Sequence, residues 1–271
     1  MSTTTTKITH PDGTVLECTT TSAEGAAPCT GSAVVFGMSV SGNVIPPVLI
    51  ALDTGCGVED TCDIMKGQQN TPEFLAINPW HQIPMMKDGE FCLGESNAIC
   101  RCEWFSVLFY LRAPNAPDAG CAADMANKYA PELYGATAEA KGIVDWALDW
   151  CSSNFYKSYA ELWYPVAGFG PAPEDFPAAC KKATDNLDTF CAKFLAGDNK
   201  FVGGSQVTIA DYKIAAWLWY LGHPAVKATT GFELSARCAA YVQDFLGASK
   251  SARSYLEGVP KGFMDSKLTP A

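Results

Sequence analysis

Two small polar residues in the first third of the chain have the chemistry to activate a thiol. Ser41 and Asn43 follow the short apolar run Ser32–Gly37 and precede an apolar stretch that begins at Val44, so we predict a strand, a polar loop and a helix. A hydroxyl beside the positive N-terminal end of a helix lowers the pKa of a bound thiol and favours the thiolate nucleophile. The alternative, that Ser41 only caps the helix, stays open because serine is a common cap.

A second set of polar residues is spaced along the stretch Lys66–Arg101, around which the rest of the chain is organised. The bond Ile83–Pro84 follows Gln82 and precedes two methionines, and a proline between short apolar runs indicates an edge strand or a cis bond. An Asp-Gly pair at 88–89 then predicts a hairpin turn. Glu95 and Ser96 open an apolar-periodic run, so we expect free backbone N–H groups at a helix N-terminus, where an anion binds well.

These segments share their spacing with a known family. Residues 72–99 follow the pattern PEFLxxNPxxQIPxxxDGxxxxxESxAI, which is similar to the second half of the thioredoxin-like domain of cytosolic glutathione transferases. The Ser-x-Asn at 41–43 resembles the loop of the phi-like and nu-like classes, and the stretch KGQQNTPEF at 66–74 resembles the nu-like KGxQxxPEF. The resemblance covers roughly residues 32–260 and implies an α/β thioredoxin-like N-terminal domain followed by an all-α C-terminal helical domain.

The resemblance also implies roles for individual residues. Ser41 would donate a hydrogen bond to the glutathione sulfur, and Asn43 would support the loop or the thiolate. The Ile83–Pro84 bond is expected to be cis. The backbone before Pro84 would pair with the cysteinyl part of glutathione, and the γ-glutamyl end would bind at the start of the following helix. The implied set is Ser41 and Asn43 for catalysis and Gln69, Gln82, Ile83, Pro84, Glu95 and Ser96 for glutathione binding.

Two departures from the family pattern lower the expected activity. Pro46 and Pro47 stand where relatives carry a basic and an apolar residue, and a proline disfavours helical geometry in the residue before it. We therefore expect the helix to start late, with its N-terminus moved away from Ser41. In the segment that would hold the glycyl carboxylate, only Lys66 and His81 offer a basic side chain, so we expect modest affinity for the anion.

The second half of the chain is predicted to be helical. Aromatic residues at helical spacing run through residues 138–166, a further helix is predicted over 176–195, and residues 263–271 are predicted to form a tail. Thr208 and Asp211 have the spacing of a capping box, so we take them as structural and expect loss of Asp211 to cost about 1–2 kcal/mol. The resemblance implies that the helix over 138–166 lines the hydrophobic co-substrate pocket. Its candidates are Trp146, Trp150 and Tyr159, for which a plain core stripe stays the alternative.

Composition and the positions of proline and glycine residues define the predicted domains, and the net charge excludes some functions. We predict a weakly ordered N-terminal extension over 1–31 with a hairpin around 11–13, a thioredoxin-like domain over 32–112, a linker over 113–120 and a helical domain over 121–271. The net charge of −10 argues against nucleic acid and anionic membranes as partners. The twelve cysteines are spread without a CxxC pair, so we expect reduced thiols and no metal site.

From these observations we expect a glutathione S-transferase that attacks a hydrophobic electrophile with the glutathione thiolate and uses no metal. Two alternatives stay open: a glutathione-dependent disulfide reductase or peroxidase of nu-like type, and a non-catalytic transferase-like subunit of a larger complex. The resemblance implies a homodimer. The absence of an apolar signal segment and of a membrane-length apolar run predicts a cytoplasmic, reducing compartment, with a processed organelle form still open.

Overall fold

The computed structural model describes residues 2–9, 15–22, 33–54, 62–88, 90–101 and 133–268, with only the backbone of 2–9, 15–22 and 88. The chain forms two compact units, Met1–Tyr134 and Gly135–Ala271. The predicted linker over 113–120 lies outside the described residues. The four predicted domain boundaries therefore stay predictions.

The N-terminal unit begins with a pair of antiparallel strands, β1 (Ser2–Thr9) and β2 (Val15–Ser22). Their register runs from the pair of Ser2 and Ser22 to the pair of Thr9 and Val15, as the hairpin predicted around residues 11–13 requires. Residues 10–14, which contain the turn itself, lie outside the described part of the chain.

A three-stranded antiparallel sheet follows, in the order β3 (Val34–Phe36), β4 (Met85–Asp88) and β5 (Phe91–Gly94). The helix α1 (Ile45–Thr54) is buried from residue 45 to residue 52. Two 3₁₀ turns, Ile64–Lys66 and Gln68–Asn70, lead into α2 (Pro72–Ile77), and α3 (Ser96–Arg101) follows β5. A small apolar cluster centred on Cys62, Phe74 and Met85 packs the 62–77 segment against β4.

The expected late start of α1 is wrong. The helix begins at Ile45, and the carbonyl of Ser41 accepts hydrogen bonds from the N–H groups of Val44 and Ile45 at 2.9 and 3.1 Å. Pro46 and Pro47 therefore occupy the second and third helical positions, where a missing N–H breaks no intrahelical bond. The double proline leaves the helix start next to Ser41.

The C-terminal unit is helical. Its helices are α4 (Ala138–Trp150), α5 (Tyr156–Ala167), α6 (Phe176–Phe194), α7 (Ile209–Leu221), α8 (Pro224–Thr230), α9 (Ala236–Ala248), α10 (Ala252–Leu256) and α11 (Val259–Ser266). A π-helical turn, Cys151–Phe155, joins α4 to α5, so the predicted 138–166 helix is confirmed with one irregularity. The predicted 176–195 helix is confirmed to within one residue at its end.

The predicted tail over 263–271 is wrong for residues 263–266, which belong to α11. Met264 is fully buried, and the ring of Phe263 stacks on Phe169 with 6.1 Å between the centroids. The apolar pair therefore anchors the end of the chain by tertiary packing, which a short segment does not reveal on its own.

The capping box at the start of α7 is confirmed, with Thr208 as the N-cap and Asp211 in the first turn. The carboxylate of Asp211 is fully buried. Its Oδ2 accepts from the N–H and the hydroxyl of Thr208 at 2.7 and 2.8 Å, and its Oδ1 accepts from the N–H of Val202 at 3.0 Å and the Tyr241 hydroxyl at 2.7 Å. Asp211 thus ties α7 to the preceding loop and to α9.

Candidate functional site

The register of the three-stranded sheet brings three of the predicted site segments to one edge. Phe36, the last residue of β3, pairs with Met85, the first residue of β4, and Met85 pairs with Gly94, the last residue of β5. The loop after β3, the segment before β4 and the start of α3 therefore leave the sheet at the same edge. They carry, in that order, Ser41 and Asn43; Gln82, Ile83 and Pro84; and Glu95 and Ser96.

The loop that carries Ser41 is fixed by main-chain hydrogen bonds. The N–H of Ser41 donates to the carbonyl of Met38 at 2.8 Å. The carbonyl of Ser41 accepts from the N–H groups of Val44 and Ile45 at the start of α1. Ser41 itself is partly buried.

Gly37 allows the same loop to lie directly against the start of α1. A Cβ at this position would lie 2.5 and 2.7 Å from the two γ-carbons of Val44, whose side chain is buried. Contacts below 3.0 Å force a shift of the neighbouring atoms, and a β-branched side chain has little freedom to move. A larger residue at position 37 would push the Ser41 loop away from the helix.

The segment ahead of Pro84 is held by one buried side chain, that of Asn78. Its Nδ2 donates to the carbonyl of Gln82 at 2.7 Å, and its Oδ1 accepts from the N–H of Trp80 at 3.0 Å. The Ile83–Pro84 bond is cis, as predicted, and Pro84 is buried while Gln82 is exposed. Asn78 thus fixes the main chain that the resemblance assigns to the cysteinyl part of glutathione.

Asn78 is a functional candidate that the sequence analysis did not single out. It lies in the quoted pattern, as the Asn of the Asn-Pro pair that ends α2, and an Asx residue at such a position commonly bonds the backbone two residues further on. That local rule identifies the bond to the N–H of Trp80. The second bond, to Gln82, depends on the return of the loop and requires the structure.

Glu95 occupies a strained backbone conformation at the entry to α3. Its φ is 67°, in the left-handed region that non-glycine residues rarely adopt, and its side chain is exposed. Its carbonyl accepts from the N–H of Ile99 at 2.9 Å and so starts the helix. Ser96, which is partly buried, is the first helical residue. Strain of this kind at a non-glycine residue is concentrated at ligand-binding positions.

Gln69 presents an unsatisfied polar atom. Its Oε1 is buried and has no hydrogen-bond partner among the residues that the structure describes. The adjacent Asn70 contacts the segment before Pro84, because its Oδ1 lies 2.8 Å from the Nδ1 of His81. The 3₁₀ turn that carries Gln69 is thereby tied to the same edge of the sheet. Buried polar atoms are nearly always paired, so this oxygen is an exception within the described part of the chain.

The two basic side chains considered for the glycyl carboxylate have other partners. The Nζ of Lys66 lies 3.2 Å from Oδ2 of Asp63, and its side chain is 64% exposed. His81 is exposed, has a φ of 57° and contacts Asn70. Neither is held in place as a dedicated anion site, so the modest anion affinity stays a prediction.

The aromatic candidates of the C-terminal unit differ strongly in exposure. Trp146 is 49% exposed and its ring meets Phe194 edge to face at 5.4 Å. Trp150 is stacked between two phenylalanine rings of the helical core, Phe155 and Phe190. Tyr159 is 2% exposed, is stacked on Trp217 at 4.3 Å and has a buried hydroxyl without a partner in the described part of the unit.

Among the described residues, no group of three or more His, Cys, Asp or Glu residues is arranged to hold a metal ion. Across the same part of the chain, no helix has both the length and the apolar character needed to cross a membrane.

This chain is similar to known proteins in sequence. The family model described as glutathione S-transferase, N-terminal domain, matches residues 48–101. Human glutathione S-transferase theta-2B is 30% identical over 192 residues, which are 69% of this chain and 70% of that protein. Glutathione S-transferase F10 of Arabidopsis thaliana is 29% identical over 171 residues, which are 61% of this chain and 70% of that protein.

Solved structures give the same result for the fold. A human theta-class glutathione transferase, in complex with the glutathione conjugate of 1-menaphthyl sulfate, has a TM-score of 0.63 at 25% identity and covers 88% of this chain and 89% of its own. A delta-class glutathione transferase of Nilaparvata lugens has a TM-score of 0.62 at 25% identity, over 87% and 98% of the two chains. The predicted fold class, a thioredoxin-like domain followed by a helical domain, is confirmed.

Proposed function

The chain belongs to the glutathione S-transferase family of enzymes, and from that premise we propose that it binds glutathione at the edge of the β3–β4–β5 sheet and transfers it to a hydrophobic electrophile. The observation that carries the proposal is the pairing of Phe36 with Met85 and of Met85 with Gly94, which gathers the three predicted segments. These segments, which are far apart in the sequence, leave the sheet at one edge.

The γ-glutamyl end of glutathione is assigned to Glu95 and Ser96. An exposed carboxylate is the natural partner of an α-ammonium group, and the serine at the first position of α3 suits the α-carboxylate. The left-handed φ of 67° at Glu95 supports this assignment, since a costly conformation persists where it serves binding. Gln69 adds a buried oxygen that can accept an N–H of the peptide.

The cysteinyl part is assigned to the extended backbone of Gln82 and Ile83. Main-chain N–H and C=O groups pair with a peptide as a neighbouring strand would. The Asn78 side chain already fixes the carbonyl of Gln82, so this backbone is held before the peptide arrives. A preorganised strand lowers the entropy cost of binding.

Activation of the sulfur is assigned to Ser41, with Asn43 in support. The first turn of α1 offers few N–H donors, because Pro46 and Pro47 have none and those of Val44 and Ile45 bond to the Ser41 carbonyl. The hydroxyl of Ser41 is therefore the donor that stabilises the thiolate, aided by the helix dipole. The thiolate attacks an electrophilic carbon, a C–S bond forms, and the leaving group departs with its electron pair.

For the electrophile, we propose an aromatic, mostly apolar molecule. The theta-class relative is known with a conjugate that carries a naphthyl group, which is the chemistry expected of such a pocket. Trp146 is the best exposed of the three aromatic candidates and is the one we assign to a pocket wall. Trp150 and Tyr159 stay assigned to the same wall as predictions, although both rings are packed in the helical core.

The test is a comparison of wild type with Ser41→Ala and Ser41→Thr, using glutathione and a chlorinated aromatic acceptor. Because main-chain atoms hold the loop, Ser41→Ala should fold and bind immobilised glutathione, while kcat/KM falls roughly 10- to 100-fold through loss of a hydrogen bond to a charged sulfur. Ser41→Thr should recover most of the activity. Equal turnover by wild type and Ser41→Ala would remove Ser41 from the mechanism.

The same assay separates the alternatives. Turnover of a small mixed disulfide without conjugation of the aromatic acceptor would support a reductase or peroxidase of nu-like type. Failure to bind glutathione at millimolar concentration would leave the non-catalytic subunit. Conjugation with retention on glutathione beads supports the transferase.

We also propose a homodimer, on the evidence of exposed apolar side chains in the N-terminal unit. Trp80 is 77% exposed and Met65 is 69% exposed, and large exposed aromatic residues mark protein contacts. Sedimentation velocity should show a dimer for wild type and a larger monomer fraction for Trp80→Glu. A Trp80→Glu variant that sediments as wild type would exclude this residue from the contact.

A further inference from the structure

Two cysteine thiols of the C-terminal unit face each other across two helices. Cys191 lies in the last turn of α6 and Cys238 in the first turn of α9, and their Sγ atoms are 3.5 Å apart although the residues are 47 positions apart in the chain. We propose that Cys191 and Cys238 form a redox-active dithiol, oxidised to an intramolecular disulfide by peroxide and restored by a low-molecular-weight thiol.

The frame around the pair keeps the sulfurs at this separation. Arg237 donates from one guanidinium nitrogen to the carbonyls of Leu195 and Asn199, at 3.2 and 2.5 Å, and so ties the start of α9 to the chain that leaves α6. A disulfide has an S–S distance of about 2.05 Å, so the sulfurs need to approach by only about 1.5 Å. Small side-chain rotations supply a movement of that size.

The position of Cys238 favours the thiolate that such chemistry requires. It is the third residue of α9, and its N–H donates to the Oγ of the N-cap Ser235 at 3.3 Å, so its sulfur lies at the positive end of the helix. The hydrogen bond from the Cys191 thiol lowers the pKa of Cys238 to about 7, against the opposing effect of burial. The same contact raises the pKa of Cys191.

The pair is reachable from one side. Cys238 is fully buried, whereas Cys191 is partly exposed at the end of α6. The proton of the Cys191 thiol can pass along the S–H···S contact to the Cys238 thiolate, which moves the negative charge to the partly exposed Cys191. Peroxide can therefore meet a thiolate at the surface, with the resolving thiol already beside it.

Oxidation proceeds in two balanced steps. The Cys191 thiolate attacks one oxygen of hydrogen peroxide, the O–O bond breaks, and a sulfenic acid and hydroxide are formed. The Cys238 sulfur then attacks the sulfenic sulfur, the S–O bond breaks, and the disulfide forms with release of water. Two equivalents of a low-molecular-weight thiol reduce this disulfide and become a disulfide themselves.

The experiment treats the intact, folded chain with stoichiometric hydrogen peroxide, blocks the remaining thiols, and maps linked peptides by mass spectrometry without reduction. We expect a Cys191–Cys238 peptide in wild type, its loss after dithiothreitol, and a melting temperature that is several degrees higher in the oxidised chain. In Cys191→Ser the linked peptide should be absent and the peroxide-induced rise in melting temperature lost.

Cys180→Ser is the matched control, because Cys180 is a partly exposed thiol of the same helix α6. Its Sγ contacts the carbonyl of Thr230 at 3.4 Å instead of a second sulfur. Cys180→Ser should oxidise as wild type does. Wild type that yields sulfinic acid on Cys191 or Cys238, links either residue to another cysteine, or leaves both thiols free would overturn the proposal.

Discussion

Glu95 in the N-terminal unit and Asp211 in the C-terminal unit stand in similar sequence settings. Glu95 directly precedes Ser96 and Asp211 lies three residues after Thr208, and both acids stand at the start of a helix. From sequence, both settings suit a negative charge at the positive end of a helix. The structure gives these two residues opposite environments.

Asp211 is completely enclosed and completely satisfied. Its two carboxylate oxygens accept from two N–H groups and two hydroxyls, on the residues Val202, Thr208 and Tyr241. Every bond is internal to the helical unit, and the backbone of α7 is regular from its N-cap onwards. Such a residue can only contribute to the stability of the fold.

The environment of Glu95 differs from that of Asp211 in side-chain exposure and in backbone conformation. The side chain of Glu95 is exposed and its backbone is in the left-handed region. Glu95 lies at the same sheet edge as Pro84. The comparison shows that one motif, an acid at a helix start, stabilises the fold where its bonds are satisfied and is available to a ligand where they are left open.

The largest expected effect is on stability, from Asp211→Ala. The change leaves three buried donor residues without their acceptor, so we expect a loss of about 3–5 kcal/mol in the free energy of unfolding, more than the sequence suggested from the cap alone. Chemical denaturation measures it. Asp175→Ala is the control, because Asp175 caps α6 through one bond, to the N–H of Ala178, and is exposed. That variant should lose only about 1 kcal/mol. Equal losses in Asp211→Ala and Asp175→Ala would show that the buried bonds of Asp211 contribute no more than an exposed cap.

The pH dependence of the same residue gives an independent check. Burial raises the pKa of the Asp211 carboxyl above its ordinary value, although its hydrogen bonds act in the other direction. The folded chain then binds this proton more tightly than the unfolded chain, so the stability contributed by Asp211 is greatest below the unfolded pKa of about 3.9 and is lost as pH rises through the folded pKa. Relative to Asp211→Asn, wild type should gain stability on acidification from neutral pH. A difference in the free energy of unfolding between wild type and Asp211→Asn that stays constant with pH would contradict the raised pKa.

The next prediction concerns Glu95→Gly, which should separate binding from stability. Glycine adopts a φ of 67° without strain, so the free energy of unfolding should stay equal or rise by up to about 1 kcal/mol. Loss of the carboxylate should raise the KM for glutathione roughly 10- to 100-fold, since hydrogen bonds to charged groups contribute most. Steady-state kinetics and thermal unfolding on the same samples measure both quantities.

Glu90→Ala is the control for Glu95→Gly, because Glu90 is an exposed carboxylate in the turn at the other end of β5. It should leave both the KM and the melting temperature unchanged. A Glu95→Gly variant that is clearly destabilised, with an unchanged KM, would make Glu95 a structural residue like Asp211.

The sequence predicted those features that depend on local rules and on fixed spacing. The pairing of β4 with β5, the capping box of α7 and the strand-loop-helix around Ser41 follow from turn chemistry, from capping and from periodicity. Because the predicted Asp-Gly turn fixes the register of β4 against β5, it also places Glu95 beside the segment before Pro84. The edge at which the proposed site lies was therefore predictable.

What the sequence missed depends on tertiary contacts. Helix α11 is short, and its stability comes from the burial of Met264 and the stacking of Phe263 on Phe169. The double proline was expected to displace α1, yet both prolines lie in the first turn, where a missing N–H breaks no intrahelical bond. The second hydrogen bond of Asn78, to Gln82, depends on how the loop folds back. None of these outcomes follows from residue types at a given spacing.

The smallest expected effects come from two neighbouring glutamines, which reproduce the contrast of Glu95 and Asp211 within one 3₁₀ turn. The Oε1 of Gln68 accepts from the N–H of Asp63 at 2.6 Å, whereas the buried Oε1 of Gln69 has no partner in the described part of the chain. We expect Gln69→Ala to raise the KM for glutathione roughly 3- to 10-fold, the value of about one hydrogen bond, with little change in stability.

Gln68→Ala should give the converse result, a loss of about 0.5–1 kcal/mol in the free energy of unfolding with a nearly unchanged KM. Kinetics and denaturation of both variants show whether each glutamine acts on glutathione binding or on stability, since the two residues are adjacent and chemically identical. If Gln69→Ala lowered stability without affecting the KM, its unsatisfied oxygen would belong to the folded core, where a water rather than glutathione would be its partner. The glutathione site would then have to be held by Glu95, Ser96 and the backbone ahead of Pro84 alone.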